Sequence, residues 1–404
     1  MAWTGKSGAR RRRKQEELER PQYGWIWKPL VTLLALYLVI CLALGIWWSQ
    51  TPARFAIEQA VLERRGDAAE TTAARGAVTI ATLAQTLAVL LDKPGGYVRN
   101  DIAPPGVWLD NMPSWELGVL NQARDLALAL PEMASTSSTG LDDASNRLMG
   151  DSDDWFPPAT EERLQDALTA LDDYQVLLDG QGEGGFAPAA GLSPWLMNVA
   201  SRLDDLGHRL SASVGSTEAL RDLDIDADAL PARTPWYRVD NIFFEARGSG
   251  WALIQLLEGV RRDQADVLER AGVSDEWRRL IAELELTQRR LWSPVVLNGS
   301  GFGVFANHSL VMAHHMIRAR ESVANIAGRL EGPPPAVASP ESALTVAPTE
   351  DTDSVSPSVQ DVERTEQAVP PPEALEAPEE MAGDDEATVE SGGDESASSV
   401  TEKQ

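Results

Sequence analysis

Between Lys28 and Arg54 the chain carries no charged side chain, and that run constrains everything that follows it. Residues 29–48 are apolar apart from Thr32 and Tyr37, and at helical rise they extend about 30 Å, the thickness of a bilayer's hydrocarbon core. Tyr23, Trp25 and Trp27 precede the run and Trp47 and Trp48 close it, as rings that are apolar at one end and polar at the other do at the two membrane–water boundaries. The head before it holds Lys6, Arg10, Arg11, Arg12, Arg13, Lys14, Arg20 and Lys28 against Glu16, Glu17 and Glu19. Positive charge is retained in the cytoplasm, so this excess predicts that the head stays inside and the rest is exported.

Three rival readings of the run fail, the first being the core helix of a soluble protein, which would not need two aromatic girdles. A cleaved signal peptide has an apolar core of about 7–15 residues, shorter than this one. A lipoprotein would need its cysteine near the outer boundary, but Cys41 lies deep in the run behind the bulky Ile40. The expectation is an uncleaved anchor in a bacterial inner membrane. Residues 1–28 form a basic cytoplasmic head, 29–48 a single transmembrane helix, 49–331 a periplasmic domain and 332–404 a tail.

Charge and cysteine use narrow the exported parts. Of the formal net charge of −27, nineteen acids opposed by Arg364 and Lys403 belong to residues 331–404, and the head is positive, so the domain between is acidic too. An acidic surface repels phosphate backbones, and no nucleic-acid partner is expected. Cys41 is the single cysteine, so no disulfide can brace the domain and its own core must hold it.

That core reads as helical. Ile80, Leu83, Leu87, Leu90 and Leu91 form one stripe at helical spacing, and Leu164, Ala167, Leu168, Leu171 and Leu178 form another. The second opens at Thr160, read as an N-cap before Glu161 and Glu162, and stops at Gly180. Trp277, Leu280, Ile281, Leu284 and Leu291 repeat the pattern behind Ser274, another N-cap. Further helices read at about 54–70, 114–130, 194–212, 238–270 and 308–330. Pro113, Pro194 and Pro235 each stand just before a tryptophan at a helix entrance, where proline costs no hydrogen bond. Strand alternation is scarce, with only residues 294–297 as an extended scrap. The fold class is all-α: a helical bundle behind one membrane helix. The tail beyond Gly332 is rich in Pro, Ser and acid, has no aromatic residue, and is expected to be disordered. Residues 135–154 read as a polar loop, and 181–191 as a glycine-rich one.

Chemistry is harder to place. The segment 92–116, DKPGGYVRNDIAPPGVWLDNMPSWE, reads as a long connection between two helices, and connections beyond about 12–15 residues are functional or disordered. This one is too aromatic for disorder. Tyr97, Asn100, Asp101, Trp108, Asp110, Asn111, Trp115 and Glu116 are its candidate binding residues, although each also has an ordinary use in packing, turning or capping.

PGGYVRND at 94–101 followed by PPGVWLDNMPSWE at 104–116, behind a basic head and one anchor, resembles a family of proteobacterial membrane-anchored proteins known only as a domain of unknown function. The resemblance covers about residues 25–330. It implies an inner-membrane envelope protein and carries over no catalytic residue.

Other signals fall short of their chemistry. Gly299, Gly301 and Gly303 match neither GxGxxG nor a P-loop with its lysine. The uncharged stretch 291–317 is too rich in Asn, Gly and His for a second membrane pass. His308, His314 and His315 lack the i, i+4 spacing by which a helix offers two ligands to one metal. Asp222, Asp224, Asp226 and Asp228 start like a calcium loop, but Ala227 stands where its glycine belongs and Arg233 where its glutamate does. No cofactor or metal is expected. The preferred reading is a non-catalytic scaffold or binding module, held to the lipid bilayer by its anchor and meeting an envelope protein partner. The alternative is a cell-wall hydrolase using Asp101, Asp110 or Glu116 near Trp108. A sensor would need a separate transducer, because the head is too short to carry an output domain.

Overall fold

The computed structural model describes residues 24–332, except 67, 69–71, 137, 182–184, 213–233, 236–237, 293–295 and 299–305. The basic head before Gly24, the acidic aspartate run 222–228, Trp236, the glycines 299–303 and the tail beyond Gly332 lie outside the described residues. The described residues form eleven α-helices and no strand. In chain order these are α1 (Gly24–Trp48), α2 (Ile57–Arg65), α3 (Ala77–Asp92), α4 (Asn111–Met133), α5 (Thr139–Leu148) and α6 (Thr160–Gln181). They continue with α7 (Leu192–Ala212), α8 (Val239–Asp263), α9 (Ala265–Arg270), α10 (Ser274–Leu286) and α11 (His308–Glu331).

The anchor run folds as one helix, and its segment Trp27–Trp48 is long and apolar enough to cross a membrane. The helices behind it pack in pairs, α4 on α8 and α7 on α11, with α3 against α8 and α6 packed in turn on α3 and α5. One continuous apolar core runs through them and includes the wholly buried Trp115, Trp195 and Trp277. Trp115 meets Trp251 edge-on with ring centroids 5.3 Å apart, and Trp251 meets Phe55 at 6.1 Å. Edge-to-face pairs match the positive ring rim to the negative face, so this aromatic ladder ties the first residues after the anchor into the core. Gln255 adds a side-chain hydrogen bond to the Phe55 carbonyl at 3.0 Å.

Backbone approach sets the crossing of α4 and α8. A Cβ on Gly118 would lie 2.0 Å from the Glu245 carbonyl oxygen, and one on Gly248 would lie 2.0 Å from that of Trp115. Only hydrogen fits at either place.

Helix ends depart from expectation in instructive ways. Thr160 and Ser274 are first helical residues rather than caps, and the Thr160 hydroxyl donates to the Asp151 and Asp154 carbonyls. Gly180 does not stop α6, which continues to Gln181. The expected helix over 238–270 breaks at Gln264, and the one over 54–70 is cut to α2. Helix α5 occupies part of the expected polar loop, with Leu141, Ala144 and Leu148 turned into the core. Asn307 caps α11, its side chain accepting from the Leu310 amide at 2.8 Å. The start of α3 is capped from a distance: Asp263, at the end of α8, accepts from the Thr79 amide and hydroxyl, both at 2.7 Å.

Candidate functional site

Helix α4 begins at Asn111, so the long connection is shorter than expected, from Lys93 to Asp110, and Asn111, Trp115 and Glu116 are helical. Pro113 sits inside the first turn, where its missing N–H removes no helical bond. The loop's shape follows from a buried charge. Glu116 lies on the core-facing stripe of α4 between Met112 and Leu120, and its carboxylate is 2.6 Å from the Lys93 ammonium, with side-chain exposures of 0% and 1%. An ion pair that far from water needs its remaining bonds filled. The Val98 amide donates to both Glu116 oxygens at 3.0 and 3.2 Å, and Lys93 donates to the Gly96 carbonyl. Burial pushes the Glu116 carboxyl up to about 7 from its ordinary value, against the opposing pull of Lys93 and the amides of Val98 and Arg99.

Bringing the Val98 amide onto Glu116 needs a tight reversal after α3. Gly95 and Gly96 make it, with φ of +90° and +68°, a region that side chains with a Cβ enter at a cost. Beyond the reversal Tyr97 is buried and donates to the Ser152 carbonyl at 2.6 Å, with its phenol pushed up chiefly by burial. Asn100 donates through Nδ2 to the Asp154 carbonyl and to Glu161 at 2.8 and 2.5 Å. These bonds fasten the loop to the segment between α5 and α6, which Arg163 holds through Asp154 at 2.7 Å. Asp101 packs so close to Gly106 that a Cβ there would sit 1.8 Å from its carboxylate, and burial, then Glu161, raises its pKa. A 3-10 turn (Gly106–Trp108) follows the cis Pro104–Pro105 bond. Asp110 ends the loop by capping α4, accepting from the Asn111 amide at 2.9 Å.

The eight candidate residues therefore divide by direction. Tyr97, Asn100, Trp115 and Glu116 face the interior, with Asn111 half-buried beside them, and the polar groups of Tyr97, Asn100 and Glu116 brace the loop. Trp108 and Asp110 face outward and Asp101 stands partly exposed at the rim. Sequence reasoning missed two partners. One is Lys93, whose tie to Glu116 spans a helix-to-helix connection. The other is the pair Trp155 and Phe156, 58% and 70% exposed, their rings edge-to-face at 5.9 Å. Two adjacent aromatics with Pro157 and Pro158 inside an acidic loop, DSDDWFPP, were the available signal.

The loop also meets the anchor. A Cβ on Gly45 would lie 3.8 Å from both Pro105 Cβ and Leu109 Cδ2, and one on Gly95 would lie 2.7 Å from the Trp48 ring. The loop clasps the last turns of α1.

His315 pairs with Glu283 at 2.8 Å and stacks edge-on with His314, and no cluster of three metal-ligating side chains occurs among the described residues. A polar groove of about 610 Å³ beside that pair is lined by Glu276, Arg279, Glu283 and Arg318 from α10 and α11, charges of both signs that largely answer one another.

Comparison with known proteins returns one similarity. A family model described as an uncharacterized protein conserved in bacteria, DUF2333, matches residues 20–331. No curated protein and no solved structure matches the chain. The match takes in the anchor, the clasping loop and the ten described helices behind it, and the chain belongs to this uncharacterised bacterial family, DUF2333.

Proposed function

We propose that this chain is a membrane-tethered envelope protein acting as a non-catalytic scaffold or binding module on the periplasmic face of the inner membrane. The basic head and the apolar α1 support the tether and its direction. The observation that carries the binding role is the Trp155–Phe156 pair, exposed on a segment that Tyr97, Asn100 and Arg163 fix in place. Exposed aromatics on a rigid platform lose little entropy when covered, and such rings are the residues that dominate protein interfaces. Asp151 and Asp153 flank them, so the matching partner surface is an apolar pocket with a basic rim.

Against a hydrolase stands the use already made of two of its three carboxylates, which leaves Asp101 without a second acid: Glu116 is enclosed with Lys93, and Asp110 is spent on a helix cap. A photo-crosslinking residue at 155 or 156 in cells is expected to trap a reproducible adduct of one mass, which the same residue at Asp143 does not give. Identical background at all three positions would remove the binding role.

A further inference from the structure

We propose that residues 102–109 form a second membrane contact, an apolar loop tip seated in the outer leaflet beside the anchor. The proposal rests on the anchor reading above and adds to it a surface of the folded domain that enters lipid.

The placement comes from α1. In the outer half of this helix Cys41, Leu44, Gly45 and Trp48 alone lose exposure, while Leu42, Ala43, Ile46 and Trp47 keep it. The covered positions have the spacing of one helix face. Cys41, at 3% exposed, lies seven residues before Trp48, about 10 Å along the axis. The anchor is 22 residues long, about 33 Å, against a hydrocarbon core of about 30 Å, so its ends have little slack in depth. Gly45, three residues inside Trp48, faces Pro105 and Leu109, with only the space of one Cβ contact, 3.8 Å, between them. Those residues therefore reach below the ring that marks the boundary, and the loop tip around them occupies the same layer.

Its composition fits that layer. Ile102 through Leu109 reads IAPPGVWL, uncharged throughout, with Asp101 and Asp110 closing it at each end. Pro105 and Gly106 are buried, while Ile102, Val107 and Trp108 are 66%, 50% and 57% exposed on the side away from the fold. Such a patch on a protein fixed beside a membrane needs an apolar neighbour, and the lipid around α1 is continuous with it. Trp108 has the amphipathic ring suited to the boundary, and the two aspartates limit how deep the tip can go. The Lys93–Glu116 lock keeps the tip's base rigid, so the contact fixes the domain's orientation over the bilayer as well as its distance.

The test uses the full chain with Cys41→Ala, reconstituted in phosphatidylcholine vesicles. Single cysteines at Ile102→Cys, Val107→Cys, Leu38→Cys and Asp143→Cys carry a polarity-sensitive fluorophore. Lipids bearing a nitroxide near the top of the acyl chain are expected to quench positions 102 and 107 several-fold more than 143, with blue-shifted emission and protection from aqueous iodide. Position 38, on the exposed face of α1 about 15 Å below Trp48, reports the anchor separately, through lipids that carry the nitroxide near the end of the acyl chain. Quenching at 38 with 102 and 107 behaving like 143 overturns the proposal and leaves the anchor standing. Failure at 38 overturns both. Shielding from iodide at 102 and 107 without nitroxide quenching assigns the tip to a contact with a second copy of this chain instead, which also overturns the lipid contact.

Discussion

Replacing Glu116 by Leu is expected to cost about 3–5 kcal/mol of stability, the usual penalty for leaving one member of a buried ion pair without its partner. The Lys93 ammonium would stay enclosed at the end of α3 with only the Gly96 carbonyl to answer it, and the Val98 amide would lose its acceptor. The double variant Lys93→Met, Glu116→Leu removes both charges and fills the same space, so it should recover most of that loss in denaturant unfolding of the detergent-solubilised protein. The pH dependence has a definite sign. Glu116 is raised to about 7 in the fold, so between its ordinary 4.5 and that value the native chain holds a proton the unfolded chain has lost. Stability contributed at this site is greatest below the lower value, falls as pH rises across the window, and is flat above it. The double variant should lack that slope. Equal stability of wild type and Glu116→Leu would mean that the pair does not organise the loop.

The second large effect belongs to the crossing of α4 and α8. A methyl group at Gly248 would stand 2.0 Å from the Trp115 carbonyl oxygen, a backbone atom that no rotamer change can move aside. Gly248→Ala gains up to about 1 kcal/mol of helix propensity, but forcing the helices apart through the Trp115–Trp251 contact outweighs it. We expect a net loss of about 2–3 kcal/mol, a drop in melting temperature of roughly 5–10 °C for a domain of this size. Gly328, in α11, has nothing within 4 Å of its absent Cβ, so Gly328→Ala should be neutral or stabilising by less than about 1 kcal/mol. Similar thermal shifts in the two variants would contradict the close approach of α4 and α8.

What the residues disclose in advance follows the range of the interaction. The anchor and the stripes of α3, α6 and α10 are local patterns and can be read directly. Helix α5 cannot, because Leu141, Ala144 and Leu148 are the apolar signal of a turn otherwise written in Gly, Asp, Ser and Asn. The start of α4 is misplaced for a related reason: Pro113 looks like an entrance, yet proline is equally at home a residue or two inside a first turn. Glu116 is the most useful miss. Its spacing from Met112 and Leu120 already puts it on the buried face, so periodicity alone argues for a partnered charge rather than an exposed acid. Which cation would meet it depends on how α3 and α4 pack, and no local pattern carries that. The loop's clasp on α1 is equally non-local, since Gly45 and Gly95 show their meaning only when Pro105 and Trp48 lie against them.

That clasp is the feature on which the account turns, because it joins the anchor and the ordered loop into one unit. In a Cys41→Ala background, Gly45→Cys with Pro105→Cys places two Cβ atoms about 3.8 Å apart, within the span of a disulfide. Gly45→Cys with Leu109→Cys suits a short thiol-to-thiol bridge. Loss of both free thiols, read as an absent mobility shift with a polyethylene-glycol maleimide, is the predicted result after mild oxidation of the first pair or bridging of the second. Full modification of both cysteines in both pairs, with Gly45→Cys paired to neither residue, would contradict it.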